Sequence, residues 1–395
     1  MRRITADYVF PLFRPPIANG VVVVDANDQI LAVEAEGEGA PATERHSGVL
    51  CPGFVNTHCH LELSHLLGKV PKKTGLPGFI RDLNRVREAE EHEVKAAALA
   101  AEQHMLDQGI KAVGDISNGS VTFSIKAKSE LTYHTFVELF GIAEARASAT
   151  FENGQQLQKH YREIFASAHR QARVSIVPHA PYSLSKTLLQ AIGAQEEKSP
   201  VSLHNQESDA ETQFLRHKSG PFAEIFTGFG IDLSAWNAPG LRSLAAVLPH
   251  LNAQRPLLLV HNTFTEKEDI EVARQFSDQV FWCLCPNANQ YIENRLPDVH
   301  LLRAEKLSIT LGTDSLASNH QLSILSEMLT LQTHYPQLPL EEMLHWGCGN
   351  GALFLGLADQ LGTLEKGKTP GINLITGVDL ATMRLTEASK IKVLA

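Results

Sequence analysis

The stretch GFVNTHCHLELS, Gly53 to Ser64, closes an apolar run with two histidines two residues apart. In an extended strand, residues i and i+2 point to the same side, so His58 and His60 can face one interior together while Cys59 faces the other way. The chain carries 18 histidines in 395 residues, and chance alone yields roughly one such pair at that density. The pair becomes informative only if other strands of the same fold end in matching ligands.

Seven more apolar, β-rich runs follow, each trailed by a helical pattern. They are KAVGDIS to Ser117, TYHTFVELFG to Gly141, RVSIVPHA to Ala180, VSLHNQE to Glu207, PLLLVHN to Asn262, QVFWCLCPN to Asn287 and SITLGTD to Asp314. The helices are plainest in EHEVKAAALAAEQHMLDQG, stopped by Gly109, and in EKEDIEVARQFS ahead of the seventh strand. Strands alternating with helices predict a parallel sheet, and eight such units predict an α/β fold, a (β/α)8 TIM barrel with insertions. The two chain ends read differently. IANGVVVVDANDQILAVEAEG reads as a hairpin turning at Asp25 to Asp28, and LGTLEKGKTPGINLITGVDL and KIKVLA repeat its short-strand texture. The expectation is a small composite β-sandwich domain from residues 1–50 and 358–395, flanking a barrel domain over 51–357.

A barrel gathers the C-terminal ends of its strands at one face. His58 and His60 close the first run, His179 the fourth, His204 and Glu207 the fifth, His261 the sixth and Asp314 the eighth. A single strand-end histidine is more often structural, but five of eight runs delivering such groups to one rim is hard to attribute to composition. Three imidazoles and one carboxylate, from His58, His60, His204 and Asp314, suit a divalent metal of the Zn, Fe or Mn class, with Zn first. The charge left on such an ion acidifies water and makes hydroxide available at neutral pH. Glu207, three residues past His204, can reach that water without being a ligand and is expected to shuttle protons. His261 would hydrogen-bond the water, and Asp314 could also take a proton from it.

Composition narrows the partners. A formal net charge of −9 with no basic cluster longer than PKK argues against nucleic acid. No apolar run approaches the ~20 residues that span a bilayer, and the first residues lack a signal-peptide pattern, so no membrane is expected and the expected compartment is the cytoplasm. Five cysteines without disulfide spacing fit a reducing environment, and Cys283-Leu284-Cys285 reads as buried thiols in a strand.

The elements PGFVNTHCH, HNQE, LLVHNTF and LGTDSLASN resemble those of the amidohydrolase superfamily, in order and at strand ends. VPHAPYSLS on the fourth strand has no lysine to bridge two metals, so the resemblance is to the mononuclear group, which includes cytosine, guanine and adenosylhomocysteine deaminases and the triazine chlorohydrolases. It implies His58, His60, His204 and Asp314 as ligands, Glu207 as acid and base, and His261 against the water. The segments HCHLELSHLLGKVPKKTGLPGFI, GDISN and PHAPYS are most similar to aminodeoxyfutalosine deaminases of menaquinone biosynthesis. That similarity implies hydrolysis of a 6-amino purine nucleoside to its 6-oxo product with release of ammonia. It makes His179 a ribose-binding candidate, and Glu62 could touch the ligand or hold its loop. The alternatives are deamination of adenosylhomocysteine, methylthioadenosine or a free amino-heterocycle, and loss of halide as in chlorohydrolases. Arg81, Arg85 and Arg216 are candidates to read a distal carboxylate. The long segment from Glu207 to Arg255, including Trp236, is expected to cover a small-molecule substrate. Association into a homo-oligomer is left open.

Overall fold

A computed structural model describes every residue from Met1 to Ala395. Eight parallel strands occupy the middle of the chain: β1 (Phe54–Cys59), β2 (Ile110–Ser117), β3 (Thr132–Leu139), β4 (Val174–Pro178), β5 (Val201–Asn205), β6 (Leu257–His261), β7 (Val280–Leu284) and β8 (Ser308–Leu311). Each coincides with one of the eight predicted runs, β2 starting one residue earlier at Ile110. Residues such as Leu257 to His261 are buried along their whole length, because a parallel strand in such a fold is covered on both faces.

Strands β1 to β4 hydrogen-bond in order as one sheet and β5 to β8 as another. The two halves meet at two seams, and both seams pass through the rim residues. At one, the His204 amide donates to the His179 carbonyl at 2.9 Å. At the other, the amides of Thr313 and Asp314 donate to the His58 carbonyl at 2.9 and 3.1 Å. The closure of the α/β barrel therefore draws together residues more than 250 positions apart in sequence.

Helix α1 (Gly75–Val86) and helix α2 (Glu91–Asp107) follow β1, α3 (Pro221–Gly228) lies in the long segment after β5, and α4 (Lys267–Phe276) follows β6. Helix α2 ends as its sequence predicts. Gly109 takes φ +73°, and a Cβ there would stand 2.2 Å from Asn373 Oδ1, so both the backbone and the space require glycine. Helix α4 starts on a capping box between Glu266 and Asp269.

The chain ends interleave in two small sheets. Arg2–Thr5, Val21–Val24, Ile30–Glu34 and Glu44–Arg45 form one, with Asp25 Oδ1 accepting from the amides of Asn27 and Gln29 in the hairpin turn. The other joins Lys390–Val393 and Ile372–Thr376 to Val49–Pro52, Tyr8–Val9 and Ile17–Ala18. Ile4, Val22, Ile30, Leu50, Ile372 and Leu374 pack between them. Because Val49–Pro52 runs into β1 within two residues, this packing anchors the strand that carries His58 and His60. A separate apolar cluster, including Leu76, Phe79, Tyr182, Phe214, Phe222, Phe226 and Trp236, lies over the strand ends as a roof. No helix is long and apolar enough to cross a membrane.

Candidate metal-dependent active site

The strand ends converge as the alternating pattern requires. His58 Nε2 lies 3.2 Å from His60 Nε2, which lies 3.3 Å from His204 Nε2. Asp314 Oδ1 stands 3.5 Å from His58 Nε2 and 3.4 Å from His60 Nε2. Ligand atoms each about 2.0–2.1 Å from a tetrahedral ion stand roughly 3.3–3.4 Å from one another, so these spacings fit one zinc-sized cation. The hydrogen-bond chemistry points the same way. His204 Nδ1 is 3.0 Å from the His179 carbonyl, which needs a proton on that nitrogen and leaves a bare lone pair on Nε2. A lone pair facing two other imidazole nitrogens and a carboxylate is stable when a cation sits among them.

His261 joins His58, His204 and Asp314 within a sphere of 4.8 Å, but its own short contacts lie elsewhere. Its Nε2 is 3.5 Å from Glu207 Oε2, and its Nδ1 is 3.3 Å from Asn289 Nδ2. His60, with three contacts of 3.2–3.4 Å, is the better fourth ligand, which leaves His261 facing Glu207.

Backbone strain aims several of these groups. His261 takes φ +76°, Asp314 φ +55° and Gln206, just before Glu207, φ +49°. Left-handed backbone at non-glycine residues persists where surrounding structure holds it. Here the Gln206 carbonyl accepts from the Phe264 amide at 2.9 Å, and Gln206 Oε1 accepts from Thr265 Oγ1 at 2.6 Å. Asp314 Oδ2 accepts from Ser318 at 2.5 Å, which turns Oδ1 towards the imidazoles. Gly312 permits the approach of β8 to β1, since a Cβ there would lie 2.8 Å from both His58 Cβ and Cys283 Sγ.

Electrostatics divides the carboxylates. Burial by itself would raise Asp314, but the surrounding His58, His60 and His261 hold it well below the usual carboxylate range. Glu207 is pushed well above its ordinary value, by burial first and by the Asp314 charge second. The two carboxylates are thus pushed in opposite directions, the separation that acid–base sites use. Burial lowers His58 to about 3 and His179 to about 4, and drives His261 well below its ordinary value, so these rings are neutral.

All the expected ligands and Glu207 are buried at one place. His179 lines the same cavity. Ser183 Oγ donates to the Ala180 carbonyl and lies 2.9 Å from His179 Nδ1, so it accepts the Nδ1 proton and leaves His179 Nε2 as an acceptor. Glu62 falls behind the wall. Its two oxygens accept from the amides of Asn118 and Gly119 at 3.0 and 3.4 Å, so it holds the loop after β2 and does not present a free carboxylate to a ligand. Arg81 and Arg85 point to Asp82 on the surface, Arg216 is exposed, and none of the three lines the cavity.

Two wall residues escaped the sequence reading. Glu138, in the third run's FVELF, is buried with Oε1 3.3 Å from His204 Nδ1. Its charge strengthens the hold of His204 on its Nδ1 proton against the lowering effect of burial. Its signal was available, as a carboxylate within an otherwise apolar run. Arg87, at the end of α1, also lines the cavity, and nothing in its local sequence marks it.

The cavity measures about 250 Å³ and lies between this floor and the apolar roof. Phe79, Ile80 and Leu83 of α1 and Phe226, Phe229 and Ile231 at and after α3 line its upper part. The expected covering role of the long segment thus falls to residues around α3. Trp236 packs into the roof, stacked on Phe214 at 4.5 Å.

The amidohydrolase family pattern matches residues 49–393. The chain belongs to that family. It is a hydrolase, and the family's dependence on metal agrees with the His and Asp cluster. It is similar to an adenosine deaminase of Helicobacter pylori, 26% identical over 301 residues, which span 75% of this chain and 71% of that protein. It is also similar to an aminodeoxyfutalosine deaminase of Nitratiruptor sp., 25% identical over 316 residues, 77% of this chain and 73% of that one. The crystal structure of Helicobacter pylori aminofutalosine deaminase with methylthio-coformycin shares the fold. Its TM-score is 0.80 at 23% identity, over 95% of this chain and 92% of that one.

Proposed function

We propose that this amidohydrolase is a hydrolytic deaminase of a 6-amino purine nucleoside, with aminodeoxyfutalosine as its substrate and menaquinone biosynthesis as its setting. The observation that carries the reading is the placement of Glu207, held as an acid 3.5 Å from His261 Nε2 at the edge of the four-ligand cluster. The activities of the two sequence relatives, both nucleoside deaminases by name, support a nucleoside substrate.

His58, His60, His204 and Asp314 would hold one divalent ion, zinc first, which supplies acidified water when bound. Glu207 donates its proton to the ring nitrogen beside the amino-bearing carbon, so that this carbon accepts hydroxide. It then takes the proton of the hydroxyl now on that carbon and passes it to the amino group, so that the C–N bond breaks, ammonia leaves and the 6-oxo group forms. His261, neutral and with Nε2 towards Glu207, orients the attacking oxygen. His179 Nε2 accepts a hydroxyl hydrogen of the sugar. The roof excludes bulk water and covers the nucleoside.

Residues 1–50 and 358–395 are read as one flanking unit and 51–357 as the catalytic one, a division supported by the pairing of Ile372–Thr376 with Val49–Pro52. The test is ammonia release by zinc-loaded protein from aminodeoxyfutalosine, adenosylhomocysteine, methylthioadenosine, adenosine, guanine and cytosine. Selective turnover of the first is expected. Turnover of a free base in preference to every nucleoside, or no ammonia from any of them, overturns the reading.

A further inference from the structure

Among the cavity's lining residues, Arg87 carries the one side-chain cation that is not an imidazole. It caps α1 on the roof side, and its carbonyl, 3.0 Å from His65 Nε2, ties that helix end to the turn after β1. Arg81 and Arg85 on the same helix share contacts with Asp82, whereas no carboxylate lies within ion-pair distance of the Arg87 guanidinium; the buried Glu62, which feels the Arg87 charge, is held by the amides of Asn118 and Gly119. The three carboxylates in the wall are committed to the floor: Glu138 beside His204, Glu207 beside His261, and Asp314 beside His58 and His60. Apolar surface from α1 and from Phe226 to Ile231 lines the roof around it. Phe140 and Phe229 line the cavity while remaining 49% and 42% exposed, so each offers an aromatic surface that a ligand can cover.

We infer that Arg87 is a specificity-determining residue, which reads an anionic group at the end of an apolar or aromatic arm on the nucleoside's 5′ side. The inference rests on the nucleoside reading above and deepens it. An unpaired guanidinium beside a partly desolvated apolar wall matches a planar carboxylate through paired N–H donors. A zwitterionic amino-acid arm fits poorly, because its ammonium meets no uncommitted carboxylate. A neutral alkyl arm leaves the guanidinium without a partner once water is expelled.

The test compares a 5′-substituted adenine nucleoside whose arm ends in benzoate with its methyl ester, on zinc-loaded wild type, Arg87→Met and Arg87→Lys. Wild type is expected to favour the acid over the ester by roughly 10- to 100-fold in kcat/KM, mostly through KM. Arg87→Met should collapse that ratio to within about threefold, and Arg87→Lys should restore part of it. A ratio that survives in Arg87→Met, or a wild type with no preference for the acid, overturns the inference. So does an equal loss on both compounds, which would mark Arg87 as a contact to the sugar or a support for α1. Calorimetric binding of the same pair separates the two readings. Acid-selective binding that depends on Arg87 without ammonia release rejects the deaminase and keeps the anion reader, and turnover without acid-selective binding does the reverse.

Discussion

His204 Nδ1 stands 3.3 Å from the Glu138 carboxylate while its Nε2 stands 3.3 Å from His60 Nε2. One ring thus links a buried acid on β3 to the proposed metal-binding cluster. The His179 carbonyl takes the Nδ1 proton and sets the tautomer, and a carboxylate charge beside that nitrogen strengthens the ring as a metal donor. Glu138→Gln should therefore weaken metal binding by about 10- to 100-fold, measured by competition with a chelator, and activity should return at saturating zinc. Unchanged affinity would restrict Glu138 to the cavity wall.

Glu207 makes no contact of metal-ligand length with the cluster, so Glu207→Gln should retain one equivalent of metal by elemental analysis. Turnover should fall by roughly 10² to 10⁴, the usual worth of a positioned acid–base group. Substantial activity in this variant would remove Glu207 as the proton carrier.

Asp314 differs, being both an ionised member of the proposed ligand set and part of the seam between β8 and β1. Asp314→Ala should lose tight metal and activity together, and chelation of the wild-type protein should mimic it, with a lowered Tm that zinc restores. Full activity in Asp314→Ala would discard the four-ligand site.

At Gly312 the prediction is steric. A methyl group would stand 2.8 Å from His58 Cβ and from Cys283 Sγ, so Gly312→Ala must push β8 away from β1. Stability should fall by about 1–3 kcal/mol, and metal affinity should fall with it. Denaturant melts and metal titration read the two effects.

The buried Glu211 gives a pH signature. Its Oε1 accepts from Ser243 Oγ and from the Gln206 amide, while Oε2 has no protein partner. Burial pushes it from 4.5 up to about 7. Below pH 4.5 the folded and unfolded chains both hold the proton. Between 4.5 and about 7 the folded chain alone holds it, so this group's contribution to stability falls as pH rises, and above 7 the loss is complete. Glu211→Gln keeps the Oε1 acceptor and removes the charge. It should match wild type at pH 4.5 and exceed it by about 2–3 kcal/mol at pH 8. A difference independent of pH would mean that Glu211 is ionised throughout.

The linear sequence by itself determined the strands and pointed to the residues proposed as ligands. Apolar runs of four to eight residues ending in His, Glu or Asp are local patterns, and two-residue periodicity set His58 and His60 on one side before any fold was known. The family motifs extended that reading to His204, Glu207, His261 and Asp314. Only the tertiary structure decided what surrounds them. Glu138 acts on His204 across β3 and β5, Glu62 is consumed by the amides after β2, and the positive φ of His261 and Asp314 is imposed by neighbouring strands. Arg87 is distinct from Arg81 and Arg85 only in the folded chain, where those two contact Asp82 on the surface and the end of α1 places the third at the cavity. Local propensity encodes which residues are extended and which face they share. Pairing of charges, burial and strain depend on partners tens or hundreds of residues away, and the closed barrel is what brings those partners within reach.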